Sequence, residues 1–417
     1  MKHSDLKTVI LDQSIIQPET NLIEREKFQH LINWHQNQEI IIISGMRRCG
    51  KSTLLHQMKQ QFDGYFLNFD DERLISCTVD DFQQMDEIFH ELFGTKNTYY
   101  FDEIQNVHGW ERFVRRLHDS RKKIYIAGSN ARLLSRELGT HLTGRYLQST
   151  LFPFSLNEYI RLKKISLQDE DFFTTQGRAK LKNSFNSYLV SGGIPEYLKS
   201  NKKEYIRSLF ESILYRDVLV RYNISNEKNI KEAMLFALSN IGNQISFNKL
   251  KNTLGIKSST TVKDYFSYFE NSYLIFLLSK FSYSSKENIY ANKKLYLIDN
   301  GFSTNLGFRH NDDNGRFLEN LVLVELKRQE KDIFYFQEKQ ECDFVIKTGL
   351  KVEQAIQVCY EITDENRSRE VNGLLEALQA FDISNGIILT YDQMDELSIN
   401  NKTISIKPAW HWLLRER

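Results

Sequence analysis

Residues Glu39–Leu55 read EIIIISGMRRCGKSTLL. The β-branched run Ile40–Ile43 predicts a buried parallel strand, and Gly45 and Gly50 bracket a turn before a helical pattern begins. The spacing G-x-x-x-x-G-K-S is the Walker A pattern, in which backbone N–H groups and a helix N-terminus surround phosphate oxygens. A chance glycine turn is the alternative, but the strand and the helix on either side favour a phosphate loop.

The side chains of this loop suggest how it would hold a nucleotide. Lys51 is expected to reach the β- and γ-phosphates of ATP, and the Ser52 hydroxyl to be a Mg²⁺ ligand. The candidate nucleotide-binding residues are Gly45, Arg47, Arg48, Cys49, Gly50, Lys51, Ser52 and Thr53. Because Arg48 would favour a thiolate at Cys49, we expect alkylation of this thiol to block ATP binding.

A second informative strand, Tyr99–Glu103, ends in two carboxylates as a Walker B element does. Asp102 would hold the Mg²⁺ shell, and Glu103 would polarise the water that attacks the γ-phosphate. Such a pair alone would more often be a solvated strand end. Its position downstream of a phosphate loop favours the site.

Two further candidates follow. The predicted strand Lys123–Gly128 ends near Asn130, which would sense the γ-phosphate or, equally well, cap the next helix. Arg145 precedes the predicted strand Tyr146–Leu151 and would stabilise transition-state charge in its own chain or in a neighbouring subunit. A surface salt bridge is the alternative for Arg145. The predicted catalytic set is Lys51, Glu103, Asn130 and Arg145.

Composition narrows the class of protein. The 417 residues are 41% hydrophobic and 26% charged, which is typical of globular proteins. A net charge of +1 gives no global electrostatic reason to expect nucleic acid, so any such surface must be local. With no signal sequence, no long apolar run and four scattered cysteines without metal spacing, we expect a cytoplasmic protein with free thiols and no membrane contact.

The segment Asn229–Asp299 predicts three short helices followed by strands, the order of a winged helix. In DNA recognition the second helix of the helix-turn-helix pair, which is the last of these three helices, would meet base edges. It would present Ser258, Ser259, Thr260 and Lys263. Phosphate contacts would come from Lys249, Lys251, Lys257, Lys280 and Lys286. Because Asp264, Glu270 and Glu287 weaken this field, a structural or protein-contact role is the alternative.

Several stretches together resemble a family of bacterial and archaeal AAA-type, STAND-like P-loop ATPases. They are GMRRCGKSTLL, YYFDEIQ, IAGSNARLLSREL, LTGRYLQSTLFPFSLNEY, Gly192–Glu196, Lys294–Gly301, Gly315–Leu326 and Glu341–Phe344. The resemblance implies an α/β fold: a P-loop NTPase domain with an AAA-like parallel sheet (1–162), a helical connector (163–228), a winged helix (229–300) and a degenerate, restriction-endonuclease-like domain of the PD-(D/E)xK class (301–417). It also implies that Gly45, Gly50, Lys51 and Ser52 bind ATP and Mg²⁺.

The nuclease-like resemblance implies a metal site with Glu319 on a helix, Asp343 on a strand, and an acid and a lysine on the next strand. The sequence has Gln357 and Cys359 at the last two positions. Lys347 or Lys351 would have to substitute for the lysine. We therefore do not expect nuclease activity.

We interpret the chain as an ATP-binding, Mg²⁺-dependent ATPase that acts as a switch or motor. Its expected partners are ATP and ADP, with double-stranded DNA, a protein partner or a second copy of the chain as further candidates. One alternative is a metal-dependent DNA nuclease under ATP control. The other is a slow-turnover signalling or scaffold protein.

Overall fold

The computed structural model describes residues 1–15, 22–129, 142, 144–307 and 314–416. The chain divides into two compact units. Unit 1 comprises Met1–Phe152 with Asn271–Tyr273, and unit 2 comprises Pro153–Glu270 with Leu274–Arg417. The division into four modules remains a prediction.

Unit 1 contains a five-stranded sheet with the order β2-β3-β4-β1-β5, in which every pair is parallel. The strands are β1 (Ile40–Ser44), β2 (Tyr65–Asn68), β3 (Thr98–Asp102), β4 (Lys123–Gly128) and β5 (Tyr146–Thr150). Strands β1, β3, β4 and β5 confirm the four runs predicted above, and each end lies within one residue of the predicted position. Because the strands are parallel, their carboxyl ends meet at one edge of the sheet.

The sheet of unit 1 is buried on both faces. Ile40 and Ile42 pack into one hydrophobic cluster and Ile41 and Ile43 into another, which explains the unbroken apolar run. The described helices of this unit are α1 (His3–Ile15), α2 (Glu26–Trp34), α3 (Lys51–Gln61), α4 (Asp81–Phe93) and α5 (Trp110–Asp119).

The first half of unit 2 is mainly helical. Its helices are α6 (Leu156–Leu162), α7 (Thr175–Ser191), α8 (Pro195–Ser200), α9 (Lys203–Ser212) with π-helical turns at Ile213–Val220, α10 (Glu227–Ser239), α11 (Phe247–Thr253), α12 (Ser259–Asn271), α13 (Ser285–Tyr290) and α14 (Asn300–Leu306). An antiparallel sheet with the order β6-β8-β7 consists of β6 (Gln244–Ile245), β7 (Ile275–Leu278) and β8 (Lys293–Leu297). Helices α10–α12 followed by strands β7 and β8 have the order predicted for this segment, whereas β6 and α13 were not predicted.

The second half of unit 2 is a six-stranded mixed sheet with the order β13-β14-β12-β11-β10-β9. Its strands are β9 (Asp332–Gln337), β10 (Glu341–Thr348), β11 (Lys351–Val358), β12 (Asn385–Thr390), β13 (Asp395–Ile399) and β14 (Lys402–Pro408). The helices are α15 (Asn314–Arg328), α16 (Arg367–Ala380) and α17 (Ala409–His411), followed by π-helical turns at Trp412–Glu416. Strand β14 therefore ends at Pro408, and the aromatic residues Trp410 and Trp412 that follow it are helical.

None of the helices in the described part of the chain is long and apolar enough to cross a bilayer.

Candidate functional site

The loop between β1 and α3 requires glycine at both of its ends. Gly45 has φ +147°, and a Cβ built there would lie 2.2 Å from the carbonyl oxygen of Leu151. Gly50 has φ +101° and immediately precedes α3, which begins at Lys51. The N-terminus of α3 therefore faces the loop, with backbone N–H groups that have no partner inside the helix.

Lys51 is buried within its own loop. Its side chain is 5% exposed in total, and Nζ donates to the carbonyl oxygens of Gly45 at 3.0 Å and Met46 at 2.9 Å. These two partners are neutral carbonyl groups, so they do not balance the charge of the ammonium. It is therefore placed to attract an anion that enters the loop.

Asp102 ends β3 at the same edge of the sheet and is 1% exposed. Among the described residues, its buried Oδ1 has no hydrogen-bond partner, and the nearby Ser52 hydroxyl lowers the pKa of the carboxylate. Burial and then the charge of Glu103 raise the pKa of Asp102 to about 7. An unpartnered carboxylate oxygen beside a serine hydroxyl has the oxygen chemistry that Mg²⁺ prefers, so these two residues fit that ion.

Glu103 adopts the left-handed backbone conformation, with φ +52°. Its Oε2 accepts hydrogen bonds from the backbone N–H and the hydroxyl of Ser129, both at 3.2 Å, and from Nε2 of Gln105. Ser129 follows β4 and is 1% exposed. The carboxylate is therefore anchored to the end of the neighbouring strand. The adjacent sensor candidate, Asn130, lies outside the described residues.

Arg145 lies at the wrong edge of the sheet for an own-chain role. It immediately precedes β5, whose Tyr146 pairs with Ile40, whereas the phosphate loop follows the other end of β1 at Ser44. Four strand residues separate these edges by about 13 Å. The Nε of Arg145 lies 3.7 Å from Oδ1 of Asp119. This position counts against a finger role in its own chain, and the contact with Asp119 agrees with the salt-bridge alternative.

The remaining loop residues differ in their accessibility. Arg48 is exposed with φ +62°, and Nη1 of Arg47 lies 3.7 Å from Oδ2 of Asp70. Thr53, in the first turn of α3, is half-buried. Cys49 is fully buried, and its thiol donates to the carbonyl of Leu151 at 3.3 Å. The burial of this side chain in the core counts against easy access to the thiol, and the effect of its alkylation on ATP binding stays a prediction.

Sequence reasoning missed Arg25, whose buried guanidinium donates a hydrogen bond to the backbone of the phosphate loop. Arg25 is 4% exposed; Nη1 donates to the carbonyl of Cys49 at 2.7 Å and Nη2 to the carbonyl of Phe152 at 2.6 Å. One guanidinium thus holds the loop and the chain that follows β5. No local signal identifies it, because an arginine before a helix is ordinarily on the surface.

We expect Arg25→Ala to lower the free energy of unfolding of unit 1 by about 2–4 kcal/mol, since two charge-assisted hydrogen bonds are lost and buried carbonyls stay unpaired. ATP affinity should fall with it. Chemical denaturation and ATP titration would measure both. Arg115→Ala, which removes an exposed arginine from α5, is the matched control and should change stability by no more than about 0.5 kcal/mol. Equal effects of the two variants would contradict a supporting role for Arg25.

In unit 2 the structure brings together Glu319 and Asp343 but not the predicted substitutes for the missing lysine. Lys347 lies 3.8 Å from Asp332, and Lys351 is exposed at the start of β11. Instead, Lys294 of β8 contacts both carboxylates. With the Lys294 ammonium lying between these carboxylates, no group of three or more His, Cys, Asp or Glu side chains among the described residues could hold a metal ion.

The N-terminal end of α12 is accessible, as its predicted use requires. Ser258 precedes the helix, and its hydroxyl accepts from the backbone N–H of Thr260 at 3.1 Å. The exposed residues on and near this end are Lys249, Lys257, Ser258, Thr260, Lys263 and Asp264. The surface therefore carries basic and hydroxyl groups, with one acid among them.

Comparison with known proteins gives matches along the chain. The model of an AAA domain matches residues 37–160, and that of a domain of unknown function, DUF8612, matches residues 182–312. An uncharacterized protein of Haemophilus influenzae is 29% identical over 415 residues, covering 94% of this chain and 99% of that protein. The RuvB Holliday junction branch migration motor of Thermotoga maritima aligns with 65% of this chain and 93% of its own at 13% identity, with a TM-score of only 0.29.

The uncharacterized protein MJ1544 of Methanocaldococcus jannaschii is 36% identical over 428 residues, which cover 97% of this chain and 94% of the archaeal protein. The AAA match spans the parallel sheet and the phosphate loop of unit 1. The chain therefore belongs to the family of MJ1544 and contains an AAA-type P-loop domain.

Proposed function

We propose that this protein binds ATP with Mg²⁺, hydrolyses it, and uses the nucleotide cycle as a switch or motor. The supporting observation is the buried, unpartnered Oδ1 of Asp102 beside the Ser52 hydroxyl, at the loop that holds the Lys51 ammonium. A carboxylate left bare in a buried position costs free energy unless a cation completes it.

Each residue of the site has a distinct role in this proposal. The backbone N–H groups of the loop and of α3 bind phosphate oxygens, and Lys51 turns from the carbonyls of Gly45 and Met46 to the β- and γ-phosphates. Ser52 and Asp102 hold the Mg²⁺, which when bound neutralises charge on the phosphates. Glu103 orients the water and accepts its proton, while Ser129 and Gln105 keep its carboxylate at the end of β4.

Arg145 has no place in this own-chain mechanism. Its side chain is 34% exposed at the opposite edge of the sheet. A finger role toward a neighbouring subunit is the remaining proposal for it, and that role requires an assembly of several chains.

The test of the proposed function is steady-state phosphate release by the purified chain with ATP and Mg²⁺, together with its content of bound nucleotide. Repeated turnover that stops when Mg²⁺ is removed would support the ATPase. Stoichiometric ATP binding without turnover would instead favour the signalling or scaffold alternative. If the purified chain neither bound ATP nor hydrolysed it, the proposal would be overturned.

DNA binding is a second candidate, supported by the exposed lysines and hydroxyl groups around the start of α12. We expect binding to double-stranded DNA at low ionic strength to weaken steeply with salt, because phosphate contacts release counterions. A Lys249→Ala, Lys257→Ala double variant removes two exposed lysines assigned to phosphates, so it should reduce the slope of log affinity against log salt by about 2. Fluorescence anisotropy would measure both slopes. Salt-independent binding, or none, would contradict this role.

The nuclease alternative is not favoured. Gln357 donates from Nε2 to Oε2 of Glu370 at 2.7 Å and accepts at Oε1 from the backbone N–H of Asp343 at 3.2 Å. The Cys359 side chain is buried, and its thiol donates to the carbonyl of Glu361 at 3.0 Å. Both positions are thus occupied by groups in structural hydrogen bonds, where a nuclease of this class would need an acid and a lysine.

A further inference from the structure

Three carboxylates of unit 2 converge on one ammonium group. Lys294 Nζ lies 2.7 Å from Oε1 of Glu319, 2.8 Å from Oε1 of Glu341 and 2.8 Å from Oδ1 of Asp343. Lys294 comes from β8, Glu319 from α15, and the other two acids from β10. The lysine is 2% exposed. The set is therefore a buried cation with three anionic oxygens around it.

Each carboxylate also has a partner other than Lys294. The Tyr296 hydroxyl donates to Oε1 of Glu319 at 2.6 Å. Gln244 Nε2 donates to Oε2 of Glu341 at 2.7 Å, and the backbone N–H of Val358 donates to Oδ2 of Asp343 at 2.9 Å. These contacts hold the carboxylates in place without the ammonium. The group is thus preorganised for a cation rather than assembled by the lysine.

The charge of the cluster exceeds what one ammonium balances. Glu319, Glu341 and Asp343 each place a carboxylate oxygen within 2.8 Å of the same ammonium nitrogen. Three acids around a single positive charge leave an unfavourable surplus of negative charge. A divalent cation would balance it better than an ammonium does.

The oxygen ligands match those of a divalent cation. Magnesium sites commonly use one or two carboxylates and complete their octahedron with water, so three carboxylate oxygens suffice. The amide of Gln357, rather than a fourth acid, contacts the backbone of Asp343. An additional carboxylate there would be harder to balance with an ammonium than with a metal ion. The uncharged amide of Gln357 therefore suits a cluster whose cation is a singly charged ammonium rather than a metal ion.

We propose that Lys294 is a built-in cation that occupies a site with the ligand set of a divalent metal ion, and that removing its ammonium creates a metal-binding site. The ammonium makes the cluster independent of metal and joins β8 to α15 and β10. This proposal does not depend on ATP hydrolysis, since it concerns unit 2 alone.

The test uses Mn²⁺ as the probe and electron paramagnetic resonance to count free ion. The full chain is used without nucleotide and with Asp102→Asn, which silences the phosphate-loop site. We expect the Asp102→Asn, Lys294→Ala protein to bind one more Mn²⁺ per chain than the Asp102→Asn protein that keeps Lys294. Adding Asp343→Asn should abolish the extra ion. Lys293→Ala is the matched control, because this neighbouring lysine instead donates to the Ser279 hydroxyl.

Two outcomes would overturn the proposal. One is a folded Lys294→Ala variant that binds no additional Mn²⁺. The other is the parent protein binding a Mn²⁺ that Asp343→Asn removes, because the lysine would then not exclude the metal. If Lys294→Ala is too unstable for titration, the midpoint of its thermal unfolding is compared with and without MnCl₂. A rise of several degrees that depends on Asp343 supports the proposal, and no rise contradicts it.

Discussion

Glu103→Gln should leave ATP bound and lower kcat by about 10²–10⁴-fold. The amide has nearly the shape of the carboxylate, so the loop and its phosphate contacts are preserved. An amide oxygen cannot accept the proton of the attacking water at neutral pH. The loss should therefore fall on the chemical step and not on nucleotide affinity.

The backbone at Glu103 strengthens this expectation. Its φ of +52° is a region that side-chain-bearing residues seldom adopt, and its N–H donates to the carbonyl of Ala127 at 2.7 Å. Two further hydrogen bonds from Ser129 hold its carboxylate. Residues that are held in an unfavourable backbone conformation by several hydrogen bonds occur preferentially at functional sites.

Single-turnover hydrolysis and equilibrium ATP binding, measured on the same preparations, would separate the two effects. Glu87→Gln is the matched control, since it makes the same change on an exposed residue of α4 and should alter neither quantity. If Glu103→Gln lost binding and hydrolysis to the same degree, Glu103 would be a binding residue and its assignment as the base would be wrong.

The second large effect is expected for Lys51→Met, which should weaken ATP binding by roughly 30-fold or more and remove measurable turnover. The methionine keeps the apolar length of the side chain but loses the ammonium. Charge-assisted hydrogen bonds contribute about 1.5–3 kcal/mol each, and every factor of ten in affinity corresponds to about 1.4 kcal/mol.

The control for Lys51 is Lys59→Met, which removes a half-buried ammonium from the same helix. Its ATP affinity should match that of the parent. Isothermal titration with ATP and Mg²⁺ would measure both variants, and circular dichroism would show that α3 remains folded. Parent-like affinity in Lys51→Met would place the phosphates elsewhere.

Local patterns were sufficient for much of unit 1. Strands β1, β3 and β4 were predicted because each is a short apolar run, and since they are buried on both faces no alternation of polar residues interrupts the run. The glycine positions were equally readable, since Gly45 and Gly50 adopt conformations that a side chain would hinder. These features depend on residues close together in sequence.

Residues that act over long sequence distances were not predictable. Arg25 reaches Phe152, 127 residues away, and Lys294 reaches Asp343, 49 residues away. Arg145 was misplaced because its motif position did not reveal that it precedes β5 at the edge opposite the loop. In each instance the partner depends on how strands are ordered and paired.

Residue order alone assigned Gly45–Ser52, Asp102 and Glu103 to a phosphate site. A strand, a glycine turn and a helix N-terminus form from residues that are neighbours in the chain, so the sequence shows them directly. The insertion of β4 between β3 and β1 was not encoded in any local pattern. That order places Glu103 against Ser129, and tertiary packing likewise brings Arg25 beneath the loop and Lys294 among three acids. Charged groups become buried in such places only where the fold supplies partners from distant segments, since burial without them would be too costly.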